Sequence, residues 1–130
     1  MTQELEIPTG IRNEELWRKH CRKIRARASD LLEGRLGVIE TARAMLPLAR
    51  WTKVDGEPDF QLFRAIASET DNLPVGAVRA YWAPEALARE DVHIRAAEML
   101  WNDRARSAAA RLVERYQWTI ARKPSSPGEG

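Results

Sequence analysis

The chain has few residues that could hold a metal or form a disulfide: one cysteine, Cys21, and two histidines, His20 and His93. A single cysteine excludes an intramolecular disulfide and favours a cytoplasmic location. Structural zinc needs a cluster of sulfur and imidazole ligands, so we expect no metal and no cofactor. Cys21 falls in an apolar helical period and is interpreted as a core residue, although its arginine neighbours would activate an exposed thiol.

Long apolar runs and a glycine-rich phosphate loop are also missing. No stretch approaches the roughly 18 to 20 apolar residues that a membrane span needs. The first residues, MTQELEIPTG, carry acids rather than the apolar centre of a secretory signal. A length of 130 residues suits one domain. These features predict a cytoplasmic, single-domain protein that does not enter a membrane.

Basic and acidic residues nearly balance, 21 against 19, but they are unevenly distributed. Residues 12–27 are rich in arginine and lysine, whereas residues 54–72 are rich in aspartate and glutamate. Two such patches can pair within the monomer, pair across a homodimer, or present a complementary face to another protein. All three alternatives predict binding rather than catalysis.

A helical period runs through the first third of the chain. Asn13 is a predicted N-cap, and apolar or small residues then recur at steps of three and four as far as Leu46. Residues 13–50 are therefore predicted to form one long helix or, as we prefer, two helices separated near Ser29-Asp30. Pro47 is expected to end or kink the second helix.

Two glycines, Gly34 and Gly37, fall inside the second of these helical segments, where each costs about 1 kcal/mol relative to alanine. Close approach of another helix would compensate for this cost. The small residues available on such a partner helix are Ala105, Ala108, Ala109 and Ala110.

Proline marks two further helix starts. Pro58 precedes apolar residues at steps of three and four, with a strand as the alternative. Pro84 begins the clearest element, which is predicted to reach about Trp118, and a short helical turn at 75–81 precedes it. The predicted fold is all-α, a single-domain bundle of three to four helices with a short loop-rich helical insert.

The two ends of the chain differ in composition from its middle. Residues 1–11 are predicted to be a flexible N-terminal arm, and residues 12–120 the helical domain. Residues 121–130, rich in proline, serine and glycine, are predicted to be a disordered tail.

Residues 68–87, SETDNLPVGAVRAYWAPEAL, combine an acidic tripeptide, two prolines, a glycine and two adjacent aromatics. This block resembles a recurring S-E-T-D-x-L-P-V-G-x-V-R-x-x-W-x-P-E-A-L pattern in small bacterial proteins of uncharacterised function, so the resemblance implies no activity. From its residues we expect caps, a turn and a short plug that set the angle of the last helix. If Arg79 folds back onto Glu69 or Asp71, the block is a rigid structural corner.

No group of residues shows the spacing of a catalytic or metal site. Asp55, Glu57 and Asp59 alternate like the start of a calcium loop, but Phe60 and Ile66 stand where that loop requires glycine and a bidentate glutamate. We expect an ordinary solvated turn there.

The remaining acids of interest are Glu69, Asp71, Asp91 and Glu98. General acid and base catalysis would require these carboxylates to converge in one pocket. Capping and ion pairing within helices explain them more simply. We therefore predict no catalytic residue and no enzymatic activity.

Five tryptophans are many for a chain of this size. Trp17 and Trp101 fall on apolar helix faces and are predicted to fill the core. For Trp51, Trp82 and Trp118 the sequence leaves two alternatives open, which are core packing and anchoring of a partner.

These observations favour a protein-protein interaction module, most specifically one like an immunity or antitoxin protein that occludes a cognate toxin encoded nearby. The predicted partner-binding residues form an acidic and aromatic surface: Glu69, Asp71, Arg79, Tyr81 and Trp82. The alternative is a small nucleic-acid-binding or regulatory protein that uses the basic first helix. Its phosphate contacts would come from Arg18, Arg22 and Arg25.

Overall fold

The computed structural model describes residues 7–120. Four α-helices make up the fold: α1 (Glu14–Leu32), α2 (Val38–Trp51), α3 (Pro58–Glu69) and α4 (Pro84–Arg115). Short 3₁₀ segments occupy Gly76–Tyr81 and Gln117–Thr119. The described residues contain no strand. The predicted all-α bundle is thus confirmed, and the strand alternative after Pro58 is wrong.

The predicted divisions at the chain ends fall largely outside the described residues. The predicted arm, 1–11, is described only from residue 7, and the predicted tail, 121–130, lies wholly outside. No helix within the described part is both long and apolar enough to cross a bilayer.

The buried face of α1 organises the core. The side chain of Asn13 accepts a hydrogen bond from the Leu16 amide at 2.9 Å, which satisfies one free donor of the first turn. Buried residues then recur at helical spacing: Trp17, Cys21, Ile24, Ala28 and Leu31. α4 packs along this face, and α2 packs against both α1 and α3.

Residues 13–50 form two helices, as preferred, but the predicted break is misplaced. α1 continues through Ser29-Asp30 and ends at Leu32. Gly34 then adopts a φ of +80°, a left-handed conformation that suits glycine at a helix end. The carbonyl of Asp30 accepts hydrogen bonds from the Arg35 and Leu36 amides, which close the turn.

Gly34 and Gly37 therefore lie in the turn between α1 and α2, not inside a helix, so their predicted packing against alanines is wrong. Nothing lies near a Cβ placed on Gly34, whereas one on Gly37 would come within 2.9 Å of a Glu98 carboxylate oxygen. Ala105, Ala108 and Ala109 are fully buried in the core, and Ala110 is exposed.

Pro47 does not end α2, which continues to Trp51. A proline inside a helix removes one backbone donor. Met45 and Leu48 on either side of it are buried, so packing holds this part of the helix in place. Of the two predicted outcomes, an end or a kink at Pro47, the end is wrong.

α4 has 32 residues and is about 48 Å long. Its C-terminal part, Ala105–Arg115, contributes Ala105, Ala108, Ala109 and Leu112 to the core. Its N-terminal part, Pro84–Arg104, contains no buried residue. The helix thus extends well past the core that holds its C-terminal part.

Candidate interaction face

The loop after α3 is fastened by an arginine from α2. Arg43 Nη2 donates hydrogen bonds to the carbonyls of Thr70, at 2.6 Å, and Leu73, at 3.0 Å. Pro74 is fully buried next to this loop. The backbone between α3 and the 3₁₀ segment is therefore held in one path by charge-assisted hydrogen bonds.

The 3₁₀ segment is tied to α4 through Arg79. Its guanidinium binds both carboxylate oxygens of Asp91, at 2.7 and 3.2 Å, and donates to the Pro74 carbonyl at 3.2 Å. The hydrogen bond from Arg79 holds the pKa of Asp91 below its usual range, despite an opposing effect of desolvation. The expected contact of Arg79 with Glu69 or Asp71 is not formed, because its guanidinium binds Asp91 instead. Arg79 thus connects the 3₁₀ segment to both the preceding loop and α4.

Tyr81 and Trp82 follow this anchored arginine and face outward. Tyr81 is 88% exposed and Trp82 is 36% exposed. Farther along α4, Val92, Met99 and Leu100 are also exposed, with Met99 at 79%. The fold thus holds a set of large apolar side chains in solvent at fixed positions.

A groove of about 460 Å³ runs between the loop after α3 and α4. Glu69 and Glu90 line it together with His93, Leu100 and Trp101. Asp71 is exposed in the same loop but does not line the groove, and neither do Tyr81 and Trp82.

The three acids of this region have free carboxylates as far as the structure describes the chain. No ion pair among residues 7–120 involves Glu69, Asp71 or Glu90. We call the groove, these three acids and the exposed apolar side chains between Val78 and Leu100 the interaction face.

Two of the four acids considered for catalysis are engaged elsewhere. Asp91 is bound by Arg79, and Glu98 accepts hydrogen bonds from the amides of Val38, at 2.8 Å, and Ile39, at 3.1 Å. Glu98 thereby caps the N-terminus of α2 from another helix, where a carboxylate is favoured by the helix dipole. α2 has no cap from its own N-cap residue, Gly37.

Two acids of segment 54–72 pair with α4 rather than with the basic first helix. Arg111 binds Asp59 at 2.7 Å, and Arg115 binds Glu57. The alternative in which the basic and acidic patches pair with each other inside the monomer is therefore not formed by any ion pair among residues 7–120. Within residues 7–120 no three His, Cys, Asp or Glu side chains are grouped closely enough to hold a metal ion.

The three arginines considered for nucleic-acid binding have different surroundings. Arg18 pairs with Glu14 at 2.8 Å and lies over the Trp118 ring at 5.5 Å. Arg22 is exposed, whereas Nε of Arg25 is buried without a partner. Only Arg22 of these three is fully available on the surface of α1.

The tryptophans divide between core and surface. Trp17 is buried, as predicted, and Trp101 packs partly buried against the core. Trp118 stacks on Trp17 with ring centroids 5.5 Å apart. Trp51 and Trp82 remain exposed.

Sequence reasoning missed Glu90 and the exposed row on α4. Val92 and Met99 are seven residues apart and so share one side of the helix. Leu87, Ile94 and Trp101 follow the same spacing on a different side. The signal in the sequence was the row of Val92 and Met99. A helix with a single buried face needs only the row of Leu87, Ile94 and Trp101.

The chain was compared with models of known protein families, with curated proteins and with solved structures, and it shows no significant match to any of them. The function must therefore be argued from its own residues.

Proposed function

We propose that the protein is a non-enzymatic protein-protein interaction module that binds its partner through the interaction face. One observation carries this proposal. Of the ten large apolar side chains exposed in the described part of the chain, six lie between Val78 and Leu100. Large exposed apolar patches mark interaction sites, whereas single exposed apolar side chains are ordinary. Val92 and Met99 share one side of α4 and Leu100 follows Met99 directly, so part of this exposed surface is grouped along one helix.

The negative charge of this face favours a positively charged partner. Glu69 and Glu90 line the groove together with Leu100, and Asp71 is exposed in the adjoining loop, so the complementary partner presents a basic segment with apolar anchors. Tyr81 and Trp82 are residue types that supply binding energy when a partner buries them. This chemistry supports the more specific proposal of an immunity-like protein that covers the basic active site of a toxin.

The test uses a variant that removes the apolar anchors from α4: Val92→Ser, Met99→Ser and Leu100→Ser together. These side chains are exposed, so the fold is expected to survive their removal. The matched control is Ile7→Ser with Ile120→Ser, two exposed apolar residues outside the face. Each protein is used as bait in extracts of the native organism, and the captured protein is then purified for measurement of Kd.

We expect a basic protein to bind the wild type and the control equally, and to bind the triple variant at least tenfold more weakly. Neutralising the acids with Glu69→Gln, Asp71→Asn and Glu90→Gln should weaken the same complex, most strongly at low salt. Unchanged Kd in both variants contradicts the proposal. If the wild type sediments as a dimer and the triple variant as a monomer, the interaction face binds a second copy of this chain. The proposal of a separate partner would then be wrong.

A further inference from the structure

A second cavity lies away from the interaction face, between the start of α1 and the end of α2. Its volume is about 450 Å³, within the range of about 300 to 1,000 Å³ found for small-molecule sites. Leu16, Trp17 and Trp51 line it with apolar surface. None of its lining residues belongs to the interaction face, so the cavity needs an explanation of its own.

One wall of this cavity is a flat aromatic surface. The rings of His20 and Trp51 stack at 5.7 Å with an angle of 14° between their planes. Trp51 is nevertheless 61% exposed, more than Trp82 on the other face. A large ring that is held by stacking and still open to solvent offers a preformed surface for another planar group.

The Arg and Lys side chains that line the cavity are Arg12, Arg50 and Lys53, and no aspartate or glutamate lines it. None of the three forms an ion pair with another residue of the described range 7–120. Three cations without a lining carboxylate favour an anion, and guanidinium groups match carboxylates in particular.

The backbone at the end of α2 places one of these cations at an unfavourable position. Lys53 has a φ of +65° and is the one non-glycine residue of the described chain with a positive φ. This left-handed conformation ends α2, where the amides of Lys53 and Val54 donate to the carbonyls of Arg50 and Ala49. The end of the helix thereby sets a lysine beside the cavity at a position where glycine is more usual.

His20 contributes its ring to the same wall. Its Nδ1 is buried and has no hydrogen-bond partner. Burial lowers the pKa of His20, and the charges of Lys23 and Lys19 lower it further.

We propose that this cavity binds a small aromatic carboxylate, with its ring against Trp51 and its carboxylate among Arg12, Arg50 and Lys53. The aromatic wall and the cations lie in one cavity, and together they match both ends of such a molecule. An apolar neutral ligand would leave the cations unused, and a cationic ligand would be repelled by them.

The experiment titrates the full chain with three probes that share one ring system: 1-naphthoate, 1-naphthylmethanol and 1-naphthylmethylamine. Binding is followed at pH 7 by the chemical shift of the Trp51 indole N–H and by calorimetry. We expect naphthoate to bind at least tenfold more tightly than the alcohol, and the amine not to bind. Equal affinity for all three probes, or no binding of naphthoate at millimolar concentration, overturns the proposal.

Variants then locate the bound probe. Trp51→Ala and the pair Arg50→Gln with Lys53→Gln should each lower naphthoate affinity at least tenfold, and all three side chains are exposed, so folding is expected to persist. Trp82→Ala is the matched control and should bind like the wild type. Unchanged affinity in Trp51→Ala contradicts the site.

The two proposals fail separately. The triple variant of Val92, Met99 and Leu100 should retain naphthoate binding in full, because those residues do not line this cavity. Loss of naphthoate binding in that variant would mean that the probe occupies the interaction face, and the cavity proposal would be wrong.

Discussion

The two parts of α4 belong to one continuous helix but are held by different forces. The C-terminal part, Ala105–Arg115, is fixed by packing, with Ala105, Ala108 and Ala109 completely buried against the core. In the N-terminal part, Pro84–Arg104, Trp101 is only partly buried against the core, and the carboxylates of Glu98 and Asp91 bind α2 and Arg79. Polar contacts and partial burial can therefore orient a helix while leaving the apolar side chains on its outer side free for a partner.

The largest expected difference between buried and exposed positions is in thiol chemistry. Cys21 is completely buried, and burial raises the pKa of its thiol to about 12, from a reference value of 9.0. The raised pKa leaves very little reactive thiolate at neutral pH, and burial also keeps the reagent away from the sulfur. In the variant Met99→Cys, one thiol should react with Ellman's reagent at the rate of a free thiol, and Cys21 should react at least a thousandfold more slowly.

Wild-type protein is the control for this labelling, because Cys21 is its one cysteine. Denaturant should make Cys21 reactive in both proteins. Fast labelling of Cys21 in the native wild type would show that α1 opens readily, and the assignment of Cys21 to the core would be wrong.

Enlarging one alanine in each part of α4 tests the same contrast through stability. Ala109→Leu inserts a large side chain into a fully packed site and should destabilise the protein by about 1 to 3 kcal/mol. Ala96→Leu, on the exposed part of the same helix, should change stability by less than about 0.5 kcal/mol. Urea unfolding monitored by circular dichroism measures both, and equal losses would remove the distinction between the two parts.

Removing the cap that Glu98 gives to α2 should have an intermediate effect. In Glu98→Ala, the amides of Val38 and Ile39 lose their acceptor, and loss of a helix cap costs about 1 to 2 kcal/mol. Glu90→Ala on the same helix is the matched control, since Glu90 accepts no described hydrogen bond across helices. Urea unfolding again gives the difference, and an equal stability of both variants would contradict a capping role for Glu98.

The helices were predictable from sequence because each buried face repeats with the helical period. The end of α1 was not, because Ser29-Asp30 looks like a start signal, whereas the observed end depends on the left-handed Gly34 and on bonds to the Asp30 carbonyl. The cap on α2 joins residues 60 positions apart, and no local pattern indicates such a contact.

The candidate faces were only partly predictable for a related reason. Tyr81 and Trp82 were predicted to bind a partner, with core packing left open for Trp82, but Met99 was not predicted, because the sequence carries two apolar rows on the last helix. Periodicity shows that both rows exist, whereas only the packing of the other helices determines which row is covered. The cavity beside Trp51 requires the end of α2 to meet the start of α1, which is a tertiary contact.

The smallest expected effect concerns the tie between the 3₁₀ segment and α4. Arg79→Ala removes the contacts to Asp91 and to the Pro74 carbonyl. Because the pair is partly exposed, overall stability should change little, while Gly76–Tyr81 should lose its fixed position. Amide hydrogen exchange at Val78 to Trp82 should accelerate several-fold, and exchange in Ala105–Arg115 should stay the same.

Arg89→Ala is the control for this prediction, because Arg89 is exposed and forms no described ion pair. Asp91→Asn should reproduce the faster exchange, and combining it with Arg79→Ala should add nothing further, since both remove the same contact. If Arg79→Ala instead accelerated exchange throughout Ala105–Arg115, the corner would support the core as well as the surface. The two parts of α4 would then unfold together as one cooperative unit, and the proposed difference between how they are held would be wrong.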